Sequence, residues 1–316
     1  MNQNRWKMGV FGGFAPGHHA SLVSVVTMTW VGLLLALILS LMTSSVLARD
    51  SGHDQIEVKL GKDVISVFTY RPQHCASPSL LLVFHGKGRK ASKMRRRARP
   101  LADRACLAVI APLFDEQTFP NWRYHRAGVF RKGRIQPRER WTGYKVDALV
   151  TWARHWLGDA NARYFLFGHS AGGQFLSRVS AYSPPADAER ILIANPSVHV
   201  LPSLTEPVPY GFGKISNALN SEPDLQGYLD LPITLYVGSD DTGRKNLVAN
   251  EAAMRQGVNR FERAQFVYEM ARDLARSRDW PFSWRLVIAG GVGHSSRGML
   301  QAAEIDHALG LSLKTE

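Results

Sequence analysis

Polar and apolar residues alternate just after residue 54, and longer apolar runs follow further along the chain. The alternation over residues 55–60 and 64–70 predicts an antiparallel hairpin that turns at Gly61 and Lys62. The later strands are more uniformly apolar, which is expected where helices cover both faces of a parallel sheet. These strands are predicted at residues 80–84, 107–111, 164–167, 191–194, 233–237 and 284–289.

Helical patterns separate the predicted strands. The spacing of apolar residues predicts helices at residues 91–104, 145–156, 171–181, 248–275 and 297–309. Strands that alternate with helices after a leading hairpin predict an α/β domain of three layers, in which helices cover both faces of a mostly parallel sheet. In such a sheet, reactive side chains belong at the carboxyl ends of the strands.

One of these strand ends carries Gly168-His169-Ser170-Ala171-Gly172. A G-x-S-x-G between a buried strand and a helix is typical of a nucleophile elbow, in which a tight turn exposes the serine hydroxyl. The residues two before and two after the serine must be small, because larger side chains would collide across the turn. Ser170 is therefore predicted to be a nucleophile, and an ordinary glycine- and serine-containing loop is the alternative.

A second strand end carries His85-Gly86-Lys87-Gly88. Glycine lets the backbone approach a substrate oxygen closely, so we expect the N–H groups of Lys87 and Ala171 to form an oxyanion hole. The side chain of His85 is expected to satisfy only local hydrogen bonds.

Two further strand ends carry an acid and a histidine. Asp240 and Asp241 follow the strand at residues 233–237, and Asp241 is favoured as the carboxylate that orients a histidine. His294 lies in a glycine-rich loop between the last strand and the last helix. We predict that Ser170, Asp241 and His294 form a catalytic triad. The alternatives are a simple turn at the two aspartates and an exposed loop histidine.

The order Ser170, Asp241, His294 is the chain order of α/β-hydrolases, and the chain resembles this superfamily from about residue 55 to its end. Within the superfamily it is similar to bacterial exported hydrolases related to polyhydroxybutyrate depolymerases and feruloyl esterases. This narrower similarity rests on the elbow continued by Gly173, on Asn195-Pro196 through Pro209-Tyr210-Gly211, and on Gly291-Val292-Gly293-His294. The resemblance implies a serine esterase, and we expect no cofactor.

The first 48 residues form a predicted targeting segment. No Asp, Glu, Lys or Arg lies between Lys7 and Arg49, and an apolar stretch at residues 31–41 is followed by small residues that end at Ala48. This order is typical of a secretory signal peptide. We expect cleavage after Ala48, with Met28 as an alternative start, and a periplasmic or secreted catalytic domain at residues 49–316. An uncleaved inner-membrane anchor is the alternative, because residues 21–41 approach spanning length.

The chain has two cysteines. Cys75 and Cys106 each precede a predicted strand, and they lie at the same edge of the sheet if those strands are parallel neighbours. An exported protein could therefore join them in a disulfide, and two buried thiols are the alternative. Their spacing matches no metal site, so we expect no zinc.

The net charge is +13, and the basic residues are clustered. Residues 87–104 hold nine Lys or Arg. A second basic run comprises Arg123, Arg126, Arg131, Lys132, Arg134, Arg138 and Arg140. Such density favours an anionic envelope surface or an acidic substrate, and a solvated surface is the alternative. Export argues against nucleic acid as a partner.

Together these features predict an exported serine hydrolase that cleaves small or oligomeric carboxylic esters through an acyl-enzyme. Substrate walls are expected from loops at residues 113–141 and 196–230, although half of their aromatic residues could fill the core. These aromatic residues are Trp122, Tyr124, Trp141, Tyr210, Phe212 and Tyr228. An acyltransferase or a peptidase on the same triad is an alternative, and so is a binding protein without catalytic activity.

Overall fold

The computed structural model describes residues 54–214 and 221–311, which belong to one compact unit. The predicted targeting segment lies outside the described residues. Within the described ranges, no helix has both the length and the apolar character needed to cross a bilayer.

The described elements alternate between strands and helices over most of the chain. The strands are β1 (Gln55–Leu60), β2 (Asp63–Tyr70), β3 (Ser79–Phe84), β4 (Leu107–Pro112), β5 (Phe130–Arg131), β6 (Arg134–Ile135), β7 (Tyr164–His169), β8 (Arg190–Ala194), β9 (Ile233–Gly238) and β10 (Arg285–Ala289). The helices are α1 (Ala91–Ala105), α2 (Lys145–Leu157), α3 (Ala171–Tyr182), α4 (Ser221–Asp230), α5 (Glu251–Met254), α6 (Arg260–Arg278), α7 (Ser296–Gln301) and α8 (Ile305–Leu309).

Eight strands form the central sheet in the order β1-β2-β4-β3-β7-β8-β9-β10. The first two strands form the predicted antiparallel hairpin, and β2 runs antiparallel to β4. From β4 to β10 every neighbouring pair is parallel. The predicted mostly parallel sheet is therefore confirmed. β5 and β6 form a separate small hairpin, which the sequence did not predict.

Helices cover the sheet on both faces because the side chains of a strand alternate between them. In β3, Leu80 and Leu82 belong to the apolar core under α2, α3 and α6. Leu81 and Val83 belong to the opposite core, under α1, α7 and α8. All four side chains are fully buried, which explains why this strand is apolar throughout. The predicted three-layer architecture is confirmed.

The prediction of one helix at residues 248–275 is wrong, because two separate helices, α5 and α6, occupy this region. Gly257 lies between them with a φ of 138°, which a residue with a side chain rarely adopts. Asn259 then caps α6, since its side-chain oxygen accepts a hydrogen bond from the Glu262 N–H at 2.9 Å. In addition, α4 (Ser221–Asp230) was not predicted from the sequence.

The end of the chain also departs from the predicted boundaries. The helix predicted at residues 297–309 is two helices, α7 and α8, separated where Ala302 has an extended backbone. The last strand begins at Arg285, whereas Trp284 precedes it and donates its indole N–H to the Tyr228 carbonyl at 2.9 Å. As the edge strand, β10 leaves Ile288 exposed instead of covered on both faces.

Cys75 and Cys106 are joined in a disulfide, with their Cα atoms 5.6 Å apart. β3 and β4 are parallel neighbours, and their first residues, Ser79 and Leu107, are paired. The two cysteines therefore lie at the amino ends of these strands, whereas the predicted reactive groups follow the carboxyl ends.

Candidate active site

Ser170 occupies the turn between β7 and α3. Its φ of 59° and ψ of −110° lie outside the regions that a residue with a side chain normally adopts. The surrounding backbone holds this conformation, because the Ser170 N–H donates to the Ala194 carbonyl and the Ser170 carbonyl accepts from the Gln174 N–H, both at 2.9 Å. The turn is the predicted nucleophile-elbow geometry.

Close backbone contacts explain the glycines of the motif. A Cβ atom on Gly168 would collide with the carbonyl of Gly172, and one on Gly172 would collide with the carbonyl of Phe84 at the end of β3. The absence of side chains therefore lets α3 begin directly against β3. This packing brings Gly86 close to the serine, so that a Cβ atom on Gly86 would lie 3.6 Å from the Ser170 Cβ.

The imidazole of His294 lies between Ser170 and Asp241. Its Nε2 is 3.0 Å from the Ser170 Oγ, and its Nδ1 is 2.7 Å from the Asp241 Oδ2. The three residues are far apart in the sequence, and the ends of β7, β9 and β10 bring them together. The structure therefore places the three predicted side chains in one hydrogen-bonded row.

The two adjacent aspartates have different surroundings. Asp241 is buried, with 1% of its surface exposed, whereas Asp240 is exposed and accepts a hydrogen bond from the Ser239 hydroxyl at 2.8 Å. Of the two aspartates, Asp241 is the one that hydrogen-bonds His294.

Arg260 is a residue of this site that the sequence did not reveal. It is buried, and its Nη1 lies 3.3 Å from the Asp241 Oδ1, the oxygen that does not contact His294. Its guanidinium also donates to the carbonyls of Gly243 and Lys245. Burial lowers the pKa of Arg260, and the Asp241 carboxylate acts in the opposite direction. A buried arginine at a helix start has no distinctive sequence signal beyond the Asn259 cap before it.

Asn195 joins the acid turn to the histidine loop. Its side-chain oxygen accepts a hydrogen bond from the Gly238 N–H at 3.1 Å, and its amide donates to the Gly293 carbonyl at 3.4 Å. Asn195 is fully buried and has a φ of 47°, a left-handed conformation that asparagine tolerates better than most residues. Its side chain therefore links the loop after β9 to the loop after β10.

Both ring nitrogens of His85 are used in local hydrogen bonds. Nδ1 lies 2.9 Å from the Gly86 carbonyl, and Nε2 accepts from the Phe114 N–H at 3.1 Å. This pairing requires a neutral ring with its proton on Nδ1. Burial favours the same state, because it lowers the pKa of His85 to about 4.

The Gly86 carbonyl belongs to the same peptide group as the Lys87 N–H. It accepts hydrogen bonds from the His85 ring and from the Arg89 N–H at 3.1 Å. Since a trans peptide is planar, these two bonds also fix the direction of the Lys87 N–H, which points away from them. Among the described residues, no acceptor bonds the backbone N–H of Lys87 or of Ala171.

Two kinds of comparison give no match: the sequence matches no protein-family model and no curated protein. Solved structures do match. One is LpqC, a poly(3-hydroxybutyrate) depolymerase from Bordetella parapertussis, which is 29% identical with a TM-score of 0.74, over 84% of this chain and 93% of that chain. Another is poly(aspartic acid) hydrolase-1 from Sphingomonas sp. KT-1, which is 29% identical with a TM-score of 0.74, over 82% of this chain and 98% of that chain.

The chain has the α/β-hydrolase fold. The predicted resemblance to depolymerase-related serine hydrolases is confirmed by these structures. The predicted enzyme class, a carboxylic ester hydrolase of the α/β type, is confirmed as well. Within the described residues of this hydrolase, no group of three or more His, Cys, Asp or Glu side chains could hold a metal ion.

Most of the aromatic residues expected to form substrate walls lie in the core of the hydrolase instead. Tyr124, Trp141, Phe212 and Tyr228 are buried in the same apolar cluster, whereas Trp122 and Tyr210 are half-buried. The Tyr124 hydroxyl donates to the His85 carbonyl at 2.7 Å, so this ring supports the loop that carries Lys87.

Part of the second basic run has partners within the described residues. Arg123 forms an ion pair with Asp63, which also pairs with Lys145 at 2.9 Å. The guanidinium of Arg131 lies 4.8 Å from the centre of the Trp122 ring. These contacts account for Arg123 and Arg131 without a ligand, while Arg126 and Arg134 are exposed.

Proposed function

We propose that Ser170 attacks the carbonyl carbon of a carboxylic ester and forms an acyl-enzyme, with His294 as the general base and Asp241 as its orienting acid. The observation that carries this proposal is the position of the His294 ring, which contacts the Ser170 hydroxyl with one nitrogen and the Asp241 carboxylate with the other.

In the first half of the reaction, a bond forms between the Ser170 Oγ and the carbonyl carbon. The Oγ proton moves to the His294 Nε2, and the imidazolium then gives it to the oxygen of the departing alcohol as the ester bond breaks. In the second half, water repeats the attack on the acyl-enzyme, with His294 again taking and returning the proton. Asp241 keeps the Nδ1 proton in place and stabilises the imidazolium in both halves.

The negative charge on the carbonyl oxygen needs hydrogen-bond donors during both attacks. We assign this role to the N–H groups of Ala171 and Lys87. Ala171 is the first residue of α3, where backbone N–H groups have no helical partner and the helix dipole favours negative charge. The Lys87 N–H is held in direction by the hydrogen bonds to the Gly86 carbonyl, as described above.

Amide hydrolysis is the second candidate, because one similar structure is a poly(aspartic acid) hydrolase. The same row of side chains could attack an amide, with His294 protonating an amine instead of an alcohol. Transfer of the acyl group to another alcohol is a third outcome that the same acyl-enzyme allows.

The test combines labelling of the nucleophile with product analysis. We expect a fluorophosphonate probe to label the wild-type protein at Ser170 and to leave Ser170→Ala unlabelled. p-Nitrophenyl esters of increasing acyl length should be hydrolysed by the wild type and not by Ser170→Ala. Matched p-nitroanilides and a competing alcohol or amine separate ester hydrolysis from amide hydrolysis and acyl transfer. A wild-type protein that reacts with neither the probe nor any ester would contradict the proposal and favour a binding protein.

We also propose that the enzyme is exported and works in the periplasm or outside the cell. The leader-like sequence of residues 1–48 supports export. The disulfide between Cys75 and Cys106 supports an oxidising compartment. Expression of the full chain in a bacterium should give an exported protein whose first residue, measured by mass spectrometry, is Arg49. An intact chain in the inner-membrane fraction would favour the anchor, and an intact cytoplasmic chain would contradict export.

A further inference from the structure

A short hairpin with a basic tip follows β4, and no step of the proposed reaction uses it. β5 and β6 pair in antiparallel fashion, and Lys132 and Gly133 form the turn between them. The two turn residues have positive φ values, 47° and 77°, which a tight two-residue hairpin turn requires. We call residues 126–140 the basic hairpin, because they include six Arg or Lys side chains and a single acid, Glu139.

The base of the basic hairpin is fixed to the core. The Thr142 N–H donates to the Ala127 carbonyl at 2.7 Å, and the Gln136 N–H donates to the Val129 carbonyl at 2.8 Å. Ala127 and Val129 are fully buried, and the Trp141 indole N–H donates to the Gln136 carbonyl at 2.7 Å. Because its base belongs to the core, the hairpin holds its tip in a defined position.

Five cations of the basic hairpin are exposed and form no ion pair with a carboxylate of the described residues. They are Arg126, Arg131, Lys132, Arg134 and Arg140. The contact of Arg131 with the Trp122 ring positions the guanidinium but leaves its charge in place. Asp63, near the base, already pairs with Arg123 and Lys145. The charge at the tip is therefore available to an external anion.

Aromatic rings accompany these cations. Trp122 is half-buried beneath the Arg131 guanidinium. Tyr144 is 42% exposed and stacks on Trp141, with the two ring centres 6.0 Å apart. Tryptophan and tyrosine rings beside exposed arginine and lysine side chains are typical of protein surfaces that meet the headgroup region of a bilayer.

The basic hairpin lies at the same edge of the sheet as Ser170. It follows the carboxyl end of β4, which is parallel to β3, and β3 is parallel to β7. Just before the hairpin, the Tyr124 hydroxyl donates to the His85 carbonyl at the end of β3. A surface that binds the tip therefore lies on the active-site side of the domain.

We infer that the basic hairpin docks the protein on an anionic phospholipid bilayer through the cations at its tip. Charge complementarity supports this partner, because lipid phosphate groups attract exposed Arg and Lys side chains that lie within about 8 Å of the surface. The proposed export favours a bilayer over nucleic acid, since the leader-like apolar stretch at residues 31–41 directs the chain to a membrane. The docking does not depend on ester hydrolysis, and it adds a place of action to it.

The test is co-sedimentation of the exported protein with vesicles of phosphatidylcholine, either alone or with about 30% phosphatidylglycerol. We expect the wild type to bind only the anionic vesicles and to be released by about 0.5 M NaCl. The triple variant Arg131→Gln, Lys132→Gln, Arg134→Gln should have a partition coefficient about a hundredfold lower, because each cation contributes about a fivefold factor. Its Tm should stay within about 2 °C of the wild type, as expected for exposed positions.

A triple variant at the opposite edge of the sheet is the matched control. Arg163 precedes β7, Arg285 begins β10, and Arg276 lies near the end of α6, which leads from β9 to β10. All three are exposed and lie toward the amino ends of the strands. Their replacement by Gln removes the same net charge and should keep vesicle binding within about threefold of the wild type. Equal losses in the two triple variants would show that net charge alone drives binding, and would overturn the role of the hairpin.

A conservative exchange separates a bilayer from a specific ligand. Arg131→Lys with Arg134→Lys keeps the charge and removes the planar guanidinium groups. Because a bilayer surface responds to charge density, this variant should bind within about threefold of the wild type. A loss as large as that of the glutamine variant would indicate recognition of one specific group and overturn docking to a bilayer.

The wild type alone also provides a decisive result. A wild-type protein that does not bind the anionic vesicles would overturn the inference. If that protein instead binds a DNA oligonucleotide in the same buffer, and the glutamine variant does not, the basic hairpin belongs to a site for soluble polyanions.

Discussion

Arg260 and Asp241 form an ion pair in which each side chain is only 1% exposed. The arginine contacts one carboxylate oxygen, and His294 contacts the other. A carboxylate held from both sides cannot rotate freely, so Arg260 is positioned to fix the plane in which Asp241 meets the imidazole. The hydrogen-bonded row of Ser170, His294 and Asp241 therefore continues to Arg260, which the sequence did not indicate.

Replacement of Arg260 should reduce catalysis through the position of Asp241. We expect Arg260→Gln to lower kcat about a hundredfold with little change in KM, because a small displacement of a catalytic group has a large effect on rate. It should also lower the free energy of unfolding by about 3–5 kcal/mol, since it leaves a buried carboxylate unpaired. Steady-state kinetics and urea unfolding measure the two effects.

Arg263 provides the matched control for this experiment. It lies on the same helix, is fully buried, and donates to the carbonyls of Gly257 and Ser197 instead of to Asp241. Arg263→Gln should lower stability and leave kcat of the folded protein nearly unchanged. If both variants lose kcat equally, Arg260 acts only through the stability of the fold.

The adjacent aspartates allow a second prediction. Asp241→Asn should lower kcat/KM by on the order of 10³-fold or more, because an amide cannot stabilise the imidazolium and favours the wrong tautomer of the ring. Asp240→Asn removes the same formal charge at the neighbouring position. The Asp240 side chain is exposed and accepts its hydrogen bond from Ser239 instead of from His294. It should keep kcat/KM within about twofold of the wild type, as expected for an exposed residue. Equal losses in the two variants would contradict the assignment of the acid.

The sequence allowed the central part of the fold and the places of the three hydrogen-bonded side chains to be predicted, because the strands concerned are buried on both faces. β3, β4, β7, β8 and β9 were placed within two residues of their observed bounds. The same apolarity located the strand ends, and the glycines and polar residues beyond them indicated Ser170, Asp241 and His294. β10, at the edge of the sheet, has less apolar character, with Ile288 exposed, and its predicted bounds still lie within one residue of the observed ones.

The missed features depend on contacts between distant residues. Arg260 and Asn195 act through hydrogen bonds to loops that only the tertiary structure brings near them. The break between α5 and α6 was an exception, since Asn259 followed by Glu262 is a capping pattern that can be found in a sequence. The prediction of one helix over residues 248–275 rests on apolar periodicity alone, which does not register a cap inside the run.

Buried histidines should make the protein less stable in acid. Burial lowers the pKa of His85 to about 4 and that of His199 to about 3, from 6.5 for an exposed ring. Below pH 6.5 the unfolded chain therefore binds protons at these residues that the folded chain does not, so stability falls as the pH falls. Between pH 6.5 and 5 the loss should be about 2 kcal/mol for each of the two histidines.

Urea unfolding at several pH values measures this loss. His199→Gln should unfold with a weaker dependence on pH than the wild type, because one of the proton-binding groups is removed. His155→Gln is the control, since His155 is exposed on α2, and it should keep the wild-type slope. A His199→Gln variant with an unchanged slope would show that this histidine does not contribute to the acid sensitivity.

The disulfide should stabilise the domain without taking part in catalysis. It links residues 31 positions apart, and a cross-link of that span is expected to raise the free energy of unfolding by about 3–4 kcal/mol. Cys75 and Cys106 precede β3 and β4, and a six-residue strand separates them from the loops at the opposite ends by roughly 20 Å. The double variant Cys75→Ser, Cys106→Ser should therefore have a Tm lower by about 10 °C and an unchanged kcat at 25 °C.

Thiol titration and reduction test whether the stabilisation comes from the disulfide bond itself. The unfolded wild-type protein should show no free thiol before reduction and two after it, since the chain has only two cysteines. Dithiothreitol should lower the Tm of the wild type to that of the double variant and should have no effect on the variant itself. Two titratable thiols in the unreduced exported protein would instead mean that the stability of the domain does not depend on the cross-link, because the cross-link does not form.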